Sequence, residues 1–355
     1  MKTKAAVAVG VNKFNIQEID LPPVQSGDLL LKVHMTSICA SDPFFMRDTY
    51  DYTFVPGHEM VGWVSEIGED AKKSYNVDVG DYVTVEPYVL CGKCKPCLTG
   101  YYANCVISRG YGVPKPPQQA IPGSYAEYVH VVEGSKIHKI SGNASPASGC
   151  LSSVLGNGLR WVKTKAKVSL MQSVVIMGAG AQGLSSLVVA KLAGADPIIV
   201  VGLKKDKIRL DLALELGANH VIYADEEDVV ARVAEITGGE MADVSIDVSG
   251  SHAGTVNATK VLRTNGIQVQ AGNAGGPTEY PFLMLLQKEI TMIGGVGQAW
   301  NVEDAVKIIN AGKIPYEKLI THTYTLDQVQ EAYDFFISND PSCIRVGVIC
   351  NEQFD

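Results

Sequence analysis

The hydrophobic and polar positions of the chain follow one pattern in its first half and another in its second. In the first half, short apolar stretches with alternating polar positions are separated by turns rich in glycine and proline, at 6–9, 29–33, 61–64, 82–85 and 126–129. Such alternation, bounded by turn residues, predicts half-buried β-strands. We therefore expect a β-rich, barrel-like region with long loops.

The second half is a regular succession of strand and helix patterns. Short apolar runs typical of buried strands lie at 174–177, 198–202, 220–223, 243–247, 267–271 and 290–294. Helical patterns separate most of these runs, notably at 184–192, 206–216 and 227–236. Strands joined by helical crossovers predict a doubly wound parallel sheet. Two further helices at 302–309 and 326–337 and a strand at 344–350 are expected to return to the first region.

The two patterns together predict an α/β protein of two domains. The first domain is expected to comprise residues 1–153 and 298–355, and the second, inserted between them, residues 154–297. The length of 355 residues agrees with this division, because a domain commonly has about 100–200 residues.

Composition and charge exclude several classes of protein. Hydrophobic residues make up 46% of the chain and charged residues 19%, as in ordinary globular proteins. The net charge of −8 argues against a nucleic-acid partner, which needs clustered lysine and arginine. We find no apolar run that could span a bilayer and no secretory signal, so we expect a cytoplasmic protein without a membrane partner. The eight cysteines then indicate metal ligands or reduced thiols rather than disulfides.

A glycine-rich turn between the strand at 174–177 and the helix that follows has the G-x-G-x-x-G pattern, with Gly178, Gly180 and Gly183. The pattern alone is weak, because glycine turns are common, but a strand before it and a helix after it are the context of a dinucleotide-binding turn. Gly178 is expected to make the turn, Gly180 to let the backbone approach a pyrophosphate, and Gly183 to pack helix against strand. The turn predicts a bound dinucleotide.

Four cysteines of the first domain form the most specific pattern in the sequence: Cys91, Cys94, Cys97 and Cys105. The first three follow one another at three-residue steps, so their thiolates can converge on one ion, and the longer step to Cys105 closes a loop around it. Four thiolates in a tetrahedral array suit a structural zinc. Reduced structural thiols and an iron–sulfur site are the alternatives. The sequence has no second cysteine cluster, which favours zinc.

Three further residues could bind a metal, although each alone also has an ordinary explanation. Cys39 precedes Ser41 and Asp42, His58 lies in a Gly-His-Glu turn, and Cys150 falls just before the start of the second domain. A single cysteine is usually a small buried hydrophobic residue, and a single histidine is more often a hydrogen-bonded core residue than a ligand.

Taken together, these motifs resemble those of the zinc-dependent medium-chain alcohol dehydrogenases over essentially the whole chain. The resemblance is carried by Cys39, the G-H-E-x-x-G motif at 57–62, the four cysteines, Cys150 and the turn at 178–183. It implies a GroES-like catalytic domain made from both ends of the chain, an inserted Rossmann domain, and an active site in the cleft between the two.

The resemblance also implies the roles of residues around a catalytic zinc. Cys39, His58 and Cys150 are expected to bind it and to leave one position open for water or substrate, as in three-ligand zinc sites. Glu59 is expected near the metal as an outer or exchangeable ligand, and Asp42 is expected to orient the histidine. Related polyol enzymes use a carboxylate in place of Cys150, but none lies near it here. With the four-cysteine site, two zinc ions per subunit are expected.

The family's reaction is a reversible hydride transfer between an alcohol carbon and a nicotinamide, with zinc acting as a Lewis acid on the substrate oxygen. By resemblance Ser41 is the candidate proton relay, although a serine here could also cap a turn. Many relatives complete the relay with a histidine where this chain has Phe44. The proton is therefore expected to leave through water or another group.

The end of the second Rossmann strand bears on the choice between NAD and NADP. In NAD-specific domains an acidic residue about 20 positions past the glycines binds the ribose 2′-hydroxyl. Here the strand ends at Gly202, followed by Lys204 and Lys205, which leaves room and positive charge for a 2′-phosphate. The lysines could equally be solvated surface charges, and Asp206 is interpreted as a helix cap. We expect NADP, with NAD as the alternative, and by resemblance Arg345 at the pyrophosphate.

The sequence thus predicts a zinc-dependent alcohol dehydrogenase or carbonyl reductase that acts on a small-molecule alcohol, a secondary one in preference, or on a carbonyl compound. The alternatives are a polyol or amino-alcohol dehydrogenase on the same scaffold and a non-catalytic nucleotide-binding protein with structural zinc only. Aromatic residues that suggest an apolar pocket, but could also be core, are Phe44, Phe45, Tyr50, Tyr52 and Trp300. By resemblance we expect a homo-oligomer, a tetramer or a dimer.

Overall fold

The computed structural model describes residues 1–107, 109–115, 120–141 and 143–353. The chain divides into two compact units, the first formed by residues 1–153 and 302–355 and the second by residues 154–301. In the described part of the chain, none of the helices is long and apolar enough to cross a membrane.

The secondary structure alternates as follows along the chain. The strands are β1 (Lys2–Gly10), β2 (Lys13–Asp20), β3 (Leu29–Ser37), β4 (Glu59–Ile67), β5 (Tyr82–Val85), β6 (Tyr88–Val89), β7 (Arg109–Gly110), β8 (Tyr128–Val131), β9 (Ile137–Lys139), β10 (Val174–Met177), β11 (Ile198–Gly202), β12 (His220–Tyr223), β13 (Ala242–Asp247), β14 (Leu262–Gln270), β15 (Thr291–Gly294), β16 (Ile320–Thr325) and β17 (Arg345–Ile349). The helices are α1 (Asp42–Phe45), α2 (Glu69–Tyr75), α3 (Lys95–Leu98), α4 (Pro146–Cys150), α5 (Ser152–Leu159), α6 (Ala181–Leu192), α7 (Lys207–Glu215), α8 (Val229–Ile236), α9 (His252–Lys260), α10 (Phe282–Gln287), α11 (Val302–Asn310) and α12 (Val329–Ile337). Single 3₁₀ turns lie at Tyr102–Asn104, Lys204–Asp206, Tyr316–Leu319 and Leu326–Gln328, and a π-helical segment lies at Arg160–Lys165.

The first unit is built on a seven-stranded sheet. Strands β16, β17, β3, β4, β5 and β9 are neighbours in that order, and β8 also pairs with β3. Every pair is antiparallel except β16 with β17. Strand β17 comes from the C-terminal segment, so both ends of the chain contribute to this sheet. Almost all of β3 is buried, and so are Ile38 and Cys39, which directly follow it.

The second unit contains a six-stranded parallel sheet in the order β12-β11-β10-β13-β14-β15. This order, with the chain reversing direction across the sheet between β10 and β13, is that of a dinucleotide-binding Rossmann domain. The prediction of a doubly wound parallel sheet is confirmed. Strand β10 is buried throughout, because helices cover both faces of such a sheet.

Two local features of the second unit differ from the expectations. Helix α6 begins at Ala181 rather than at residue 184, because its first turn follows directly from Gly180 in extended conformation. Asp206 stands at the start of α7, but its carboxylate does not cap that helix. It accepts a hydrogen bond from the Leu203 amide at 3.0 Å and pairs with Arg209 at 2.8 Å. This aspartate therefore fixes the 3₁₀ turn after β11.

Candidate functional site

The four cysteines of the first unit converge within a short stretch of local turns. Their sulfur atoms all lie within 4.8 Å of one another. The Cys91 and Cys97 sulfurs are 3.9 Å apart, as are those of Cys94 and Cys105. A tetrahedral zinc with Zn–S bonds of about 2.3 Å requires sulfur atoms about 3.8 Å apart. The donor set therefore fits a closed zinc site.

Within the four-cysteine group the surroundings lower the pKa of one thiol and raise that of another. Backbone amides of Lys93 and Cys94 donate hydrogen bonds to Cys91 and lower the pKa of that thiol to about 6. Burial, followed by the neighbouring thiols, raises the pKa of Cys97 to about 12. A bound cation would deprotonate such a thiol, because coordination stabilises the anion.

A second group of donors forms where β3 and β4 meet. Ser37 pairs with Glu59 in the antiparallel register, so Cys39, which follows β3, comes beside His58, which precedes β4. One donor atom from each of Cys39, His58 and Glu59 lies within 4.8 Å of the others. All three side chains are buried. Residues that are distant in the sequence are thus brought together by the strand pairing.

The Asp42 carboxylate lies beside the Nδ1 atom of the His58 ring. The Asp42 Oδ1 atom lies 3.5 Å from His58 Nδ1, while Asp42 Oδ2 accepts hydrogen bonds from the Cys39 amide at 2.8 Å and from the Tyr125 hydroxyl at 2.6 Å. A carboxylate at Nδ1 leaves Nε2 for a metal, as in carboxylate–histidine–zinc arrangements. Burial alone would lower the pKa of His58, but the charges of Cys39, Asp42 and Glu59 raise it to about 10. The group accumulates the negative charge that a cation would neutralise.

Glu59 is held at both of its oxygens. The Arg345 Nη2 atom lies 3.3 Å from Oε1, and the Ser37 hydroxyl donates to Oε2. Arg345 also donates to the Ile38 carbonyl at 2.7 Å, and its side chain is buried. The structure therefore places Arg345 beside the candidate metal ligands rather than on the surface. Its contact with a pyrophosphate stays a prediction.

Cys150 ends helix α4 and is 1% exposed. Burial, followed by the charge of Glu59, raises the pKa of this thiol, while Arg345 and a hydrogen bond with Ser37 oppose the shift. Its sulfur donates to the Ala147 carbonyl at 3.4 Å. The thiol is near Glu59 but is not a member of the group whose donors lie within 4.8 Å of one another. Its role as third ligand stays a prediction.

Ser41 points into the site. Its hydroxyl donates to Cys39 Sγ at 3.2 Å, lies 3.5 Å from His58 Nε2, and makes no capping bond to α1. Phe45 lies against the histidine, with ring centres 6.3 Å apart. Phe44 is 57% exposed and has the Arg47 guanidinium 3.7 Å above its ring. Ser41 is therefore not a helix cap, and its hydroxyl is the polar group beside Nε2 of His58.

The other aromatic candidates are distributed differently. Tyr50 and Tyr52 pack against Phe54, with ring centres 4.7 and 6.4 Å from it, in the core of the first unit. Trp300 belongs to the second unit and is 58% exposed. Tyr50 and Tyr52 therefore pack against the hydrophobic core of the first unit, which accounts for them without a substrate pocket.

The glycine turn of the second unit has the geometry that a phosphate needs. Gly178 has a φ of +109°, which a residue with a side chain rarely adopts. A Cβ at Gly183 would lie 1.8 Å from the Gly178 carbonyl oxygen, whereas one at Gly180 would meet nothing within 4 Å. The open space therefore lies at Gly180, the first residue of the turn into α6, where helix amides are available to an anion.

The end of β11 is crowded and charged. A Cβ at Gly202 would lie 3.2 Å from the Leu210 side chain, so an acidic residue would not fit there without a shift. The Lys204 amide donates to Asp225 at 2.8 Å and its ammonium pairs with Glu226 at 2.5 Å, while Lys205 is exposed. Both acids follow β12, the neighbour of β11 in the sheet.

Sequence reasoning missed three residues that shape these sites: Ser37, Tyr125 and Glu226. Ser37 and Tyr125 belong to no motif; the contact of Ser37 depends on the pairing of β3 with β4, and that of Tyr125 on the packing of the loop before β8 against the start of α1. Glu226 could have been found, because β11 and β12 are adjacent in a doubly wound sheet and their ends meet at the same edge.

Comparison with known proteins agrees with this geometry. Residues 25–142 match the family model described as alcohol dehydrogenase GroES-like domain, and residues 182–310 match the model described as zinc-binding dehydrogenase. The first match confirms the predicted GroES-like class.

Similar proteins extend over nearly the whole chain. A sorbitol dehydrogenase of Bombyx mori is 32% identical, covering 93% of this chain and 94% of that protein. An L-threonine 3-dehydrogenase of Pyrococcus furiosus is 32% identical, covering 94% and 93%. The structure of an Escherichia coli oxidoreductase of unknown specificity superposes with a TM-score of 0.91 at 26% identity, covering 99% of this chain and 100% of that one.

Proposed function

This chain belongs to the zinc-dependent medium-chain dehydrogenase family and is a zinc-dependent NAD(P) alcohol dehydrogenase, and from that premise we propose that it interconverts a secondary alcohol and its carbonyl compound with NADP. The observation that carries the proposal is the convergence of Cys39 and His58, with Asp42 behind the histidine. Membership of this family removes the alternative of a non-catalytic nucleotide-binding protein.

We assign two zinc ions to each chain. Cys91, Cys94, Cys97 and Cys105 would hold a structural zinc. Cys39, His58 and Cys150 would hold a catalytic zinc, with Glu59 as an outer or exchangeable ligand. When bound, the catalytic zinc supplies Lewis-acid chemistry at the substrate oxygen and the nicotinamide exchanges the hydride.

The chain's own groups orient the ligands and handle the proton. Asp42, whose Oδ1 lies 3.5 Å from His58 Nδ1, would orient the ring and so direct Nε2 at the metal position. The Ser41 hydroxyl, 3.5 Å from that nitrogen, is the group that would accept the substrate proton and pass it on. Phe44 offers no further transfer, so we propose that water takes the proton from Ser41.

We propose NADP rather than NAD as the preferred cofactor. This chain has Gly202, and no acid, at the place that binds a ribose 2′-hydroxyl in NAD-specific domains. Lys204 and Lys205 would supply positive charge to a 2′-phosphate, and Gly178, Gly180 and Gly183 would hold the pyrophosphate.

A secondary alcohol or its ketone suits the apolar ring of Phe45 beside His58. The second candidate is a polyol or amino-alcohol substrate, which is favoured by the similarity to a sorbitol and a threonine dehydrogenase. We further propose that the active form is a homo-oligomer, a tetramer or a dimer.

Initial rates on a panel of secondary alcohols, polyols and amino alcohols, each with NAD and with NADP, test the proposal. We expect the highest kcat/KM for a secondary alcohol with NADP. A strong preference for NAD, with Lys204→Ala and Lys205→Ala without effect, would contradict the cofactor assignment. Highest activity on a polyol would establish the second candidate instead.

A further inference from the structure

We propose that Tyr125 is a positioning residue of the catalytic metal site and that it acts through Asp42 on His58. The inference rests on the proposed function, because it assumes that Cys39 and His58 bind zinc. Tyr125 lies far along the chain from each of these residues and belongs to none of the motifs that identify the site.

The first support is the geometry of one carboxylate. The Tyr125 hydroxyl donates to Asp42 Oδ2 at 2.6 Å, and the Cys39 amide donates to the same oxygen at 2.8 Å. Two donors on one oxygen fix the carboxylate plane, and the other oxygen then faces His58 Nδ1 at 3.5 Å. Both Asp42 and Tyr125 are 0% exposed, so water cannot replace the phenol as the second donor.

The second support is that Tyr125 also contacts the turn that precedes His58. The Tyr125 amide donates to the Pro56 carbonyl at 3.0 Å, and the neighbouring Ser124 amide donates to Gly57 at 3.0 Å. A Cβ on Gly57 would lie 2.5 Å from the tyrosine ring, so ring and turn are in direct contact. One residue thus holds the His58 turn through its backbone and ring, and the Cys39–Asp42 loop through its hydroxyl.

The hydroxyl remains a donor at any working pH. Burial, followed by the charge of Asp42, raises the pKa of Tyr125 well above its ordinary value. A charge-assisted bond between a neutral phenol and a carboxylate is stronger than a bond between neutral groups. Loss of the hydroxyl should therefore loosen Asp42 while the packing of the ring is retained.

The test is the zinc affinity of each site, measured by competition with a chelator in Tyr125→Phe. The zinc missing from His58→Ala identifies the catalytic site. We expect about 10–100-fold weaker binding there, the effect typical of outer ligand partners, and unchanged binding at the four-cysteine site. Tyr111→Phe is the matched control, because Tyr111 is equally buried but bonds Ser135 at 2.5 Å and Val132 at 3.1 Å instead.

A double-mutant cycle with Asp42→Ala, which removes the acceptor of the Tyr125 hydroxyl, tests the route of the effect. If Tyr125 acts through Asp42, Tyr125→Phe weakens zinc binding little further in the Asp42→Ala background. Additive losses would overturn the inference, and so would equal losses at both zinc sites or an unchanged catalytic site. A wild-type chain that holds only the four-cysteine zinc would overturn the proposed function as well, so the two failures are distinguishable.

Discussion

The two metal-binding groups of the first unit are built in opposite ways. The four-cysteine group lies within residues 91–105 and is made by consecutive turns, with two of its members only half-buried. The second group joins Cys39 and His58 from the facing ends of two paired strands, and its members are buried. A local group needs little beyond its own loop, whereas the dispersed group exists only when the sheet has formed.

The two groups also differ in what surrounds them. The four sulfurs bond chiefly with one another and with nearby backbone amides, which suits a closed site. The dispersed group is backed by Asp42, Tyr125, Ser37 and Arg345, each of which contacts a candidate ligand or the residue that orients it. We therefore propose that the four-cysteine group serves stability and that the group of Cys39 and His58 serves the chemistry.

The largest expected effect is that of His58→Ala. The substitution should remove the catalytic zinc and lower kcat/KM by about 10³-fold or more, because a Lewis acid contributes several kcal/mol and each 1.36 kcal/mol is a factor of ten. Zinc content by mass spectrometry and initial rates measure both results, and circular dichroism monitors the fold. Retained activity in His58→Ala would contradict the assignment of the chemistry to the group of Cys39 and His58.

Ser41→Ala should lower kcat by about 10²-fold, the range of a positioned proton-transfer group, with both zinc ions retained. Ser41→Thr keeps the hydroxyl and should recover most of the rate. Single-turnover measurements with saturating cofactor separate this step from binding. Wild-type rates in Ser41→Ala would show that the proton leaves by another group.

Cys94→Ser should affect stability instead of chemistry. Loss of the structural zinc removes folding free energy, and a loss of about 2 kcal/mol lowers the Tm of a domain of this size by about 4–8 °C. The kcat of the protein that remains folded should be close to that of the wild type. A loss of activity as large as that of His58→Ala, at an unchanged Tm, would reverse the assignment of the two groups.

The smallest effect is expected outside both metal groups. Glu226→Gln removes the acid that pairs with Lys204 at 2.5 Å, so the lysine becomes available to a 2′-phosphate. Surface ion pairs contribute about 0.2–1 kcal/mol, so the Kd for NADP should fall by about 1.4–5-fold while that for NAD is unchanged. Titration calorimetry of both cofactors measures the difference. A parallel gain for NAD would mean that Lys204 does not contact the 2′-phosphate.

Local patterns made much of the molecule predictable. The turn at Gly178 was recognisable because a strand, a positive-φ glycine and a helix follow one another in the sequence. The four cysteines were recognisable because consecutive turns bring them together without help from the rest of the fold. The parallel sheet of six strands was predictable because strand and helix patterns alternate regularly along the second half of the sequence.

Contacts between residues distant in the sequence were not predictable in the same way. The bond from Tyr125 to Asp42 joins residues 83 positions apart, and that from Arg345 to Glu59 joins residues 286 apart. The second depends on strand register and the first on the packing of a loop against α1, neither of which a single sequence specifies. The π-helical segment at Arg160–Lys165 was also not predicted.

Anomalous X-ray scattering from crystals at the zinc absorption edge tests the central claim most directly, since it locates zinc without reference to activity. We predict two peaks per chain, one among Cys91, Cys94, Cys97 and Cys105 and a second beside Cys39 and His58. A single peak at the four cysteines, with no zinc beside His58 in fully active protein, would contradict the account.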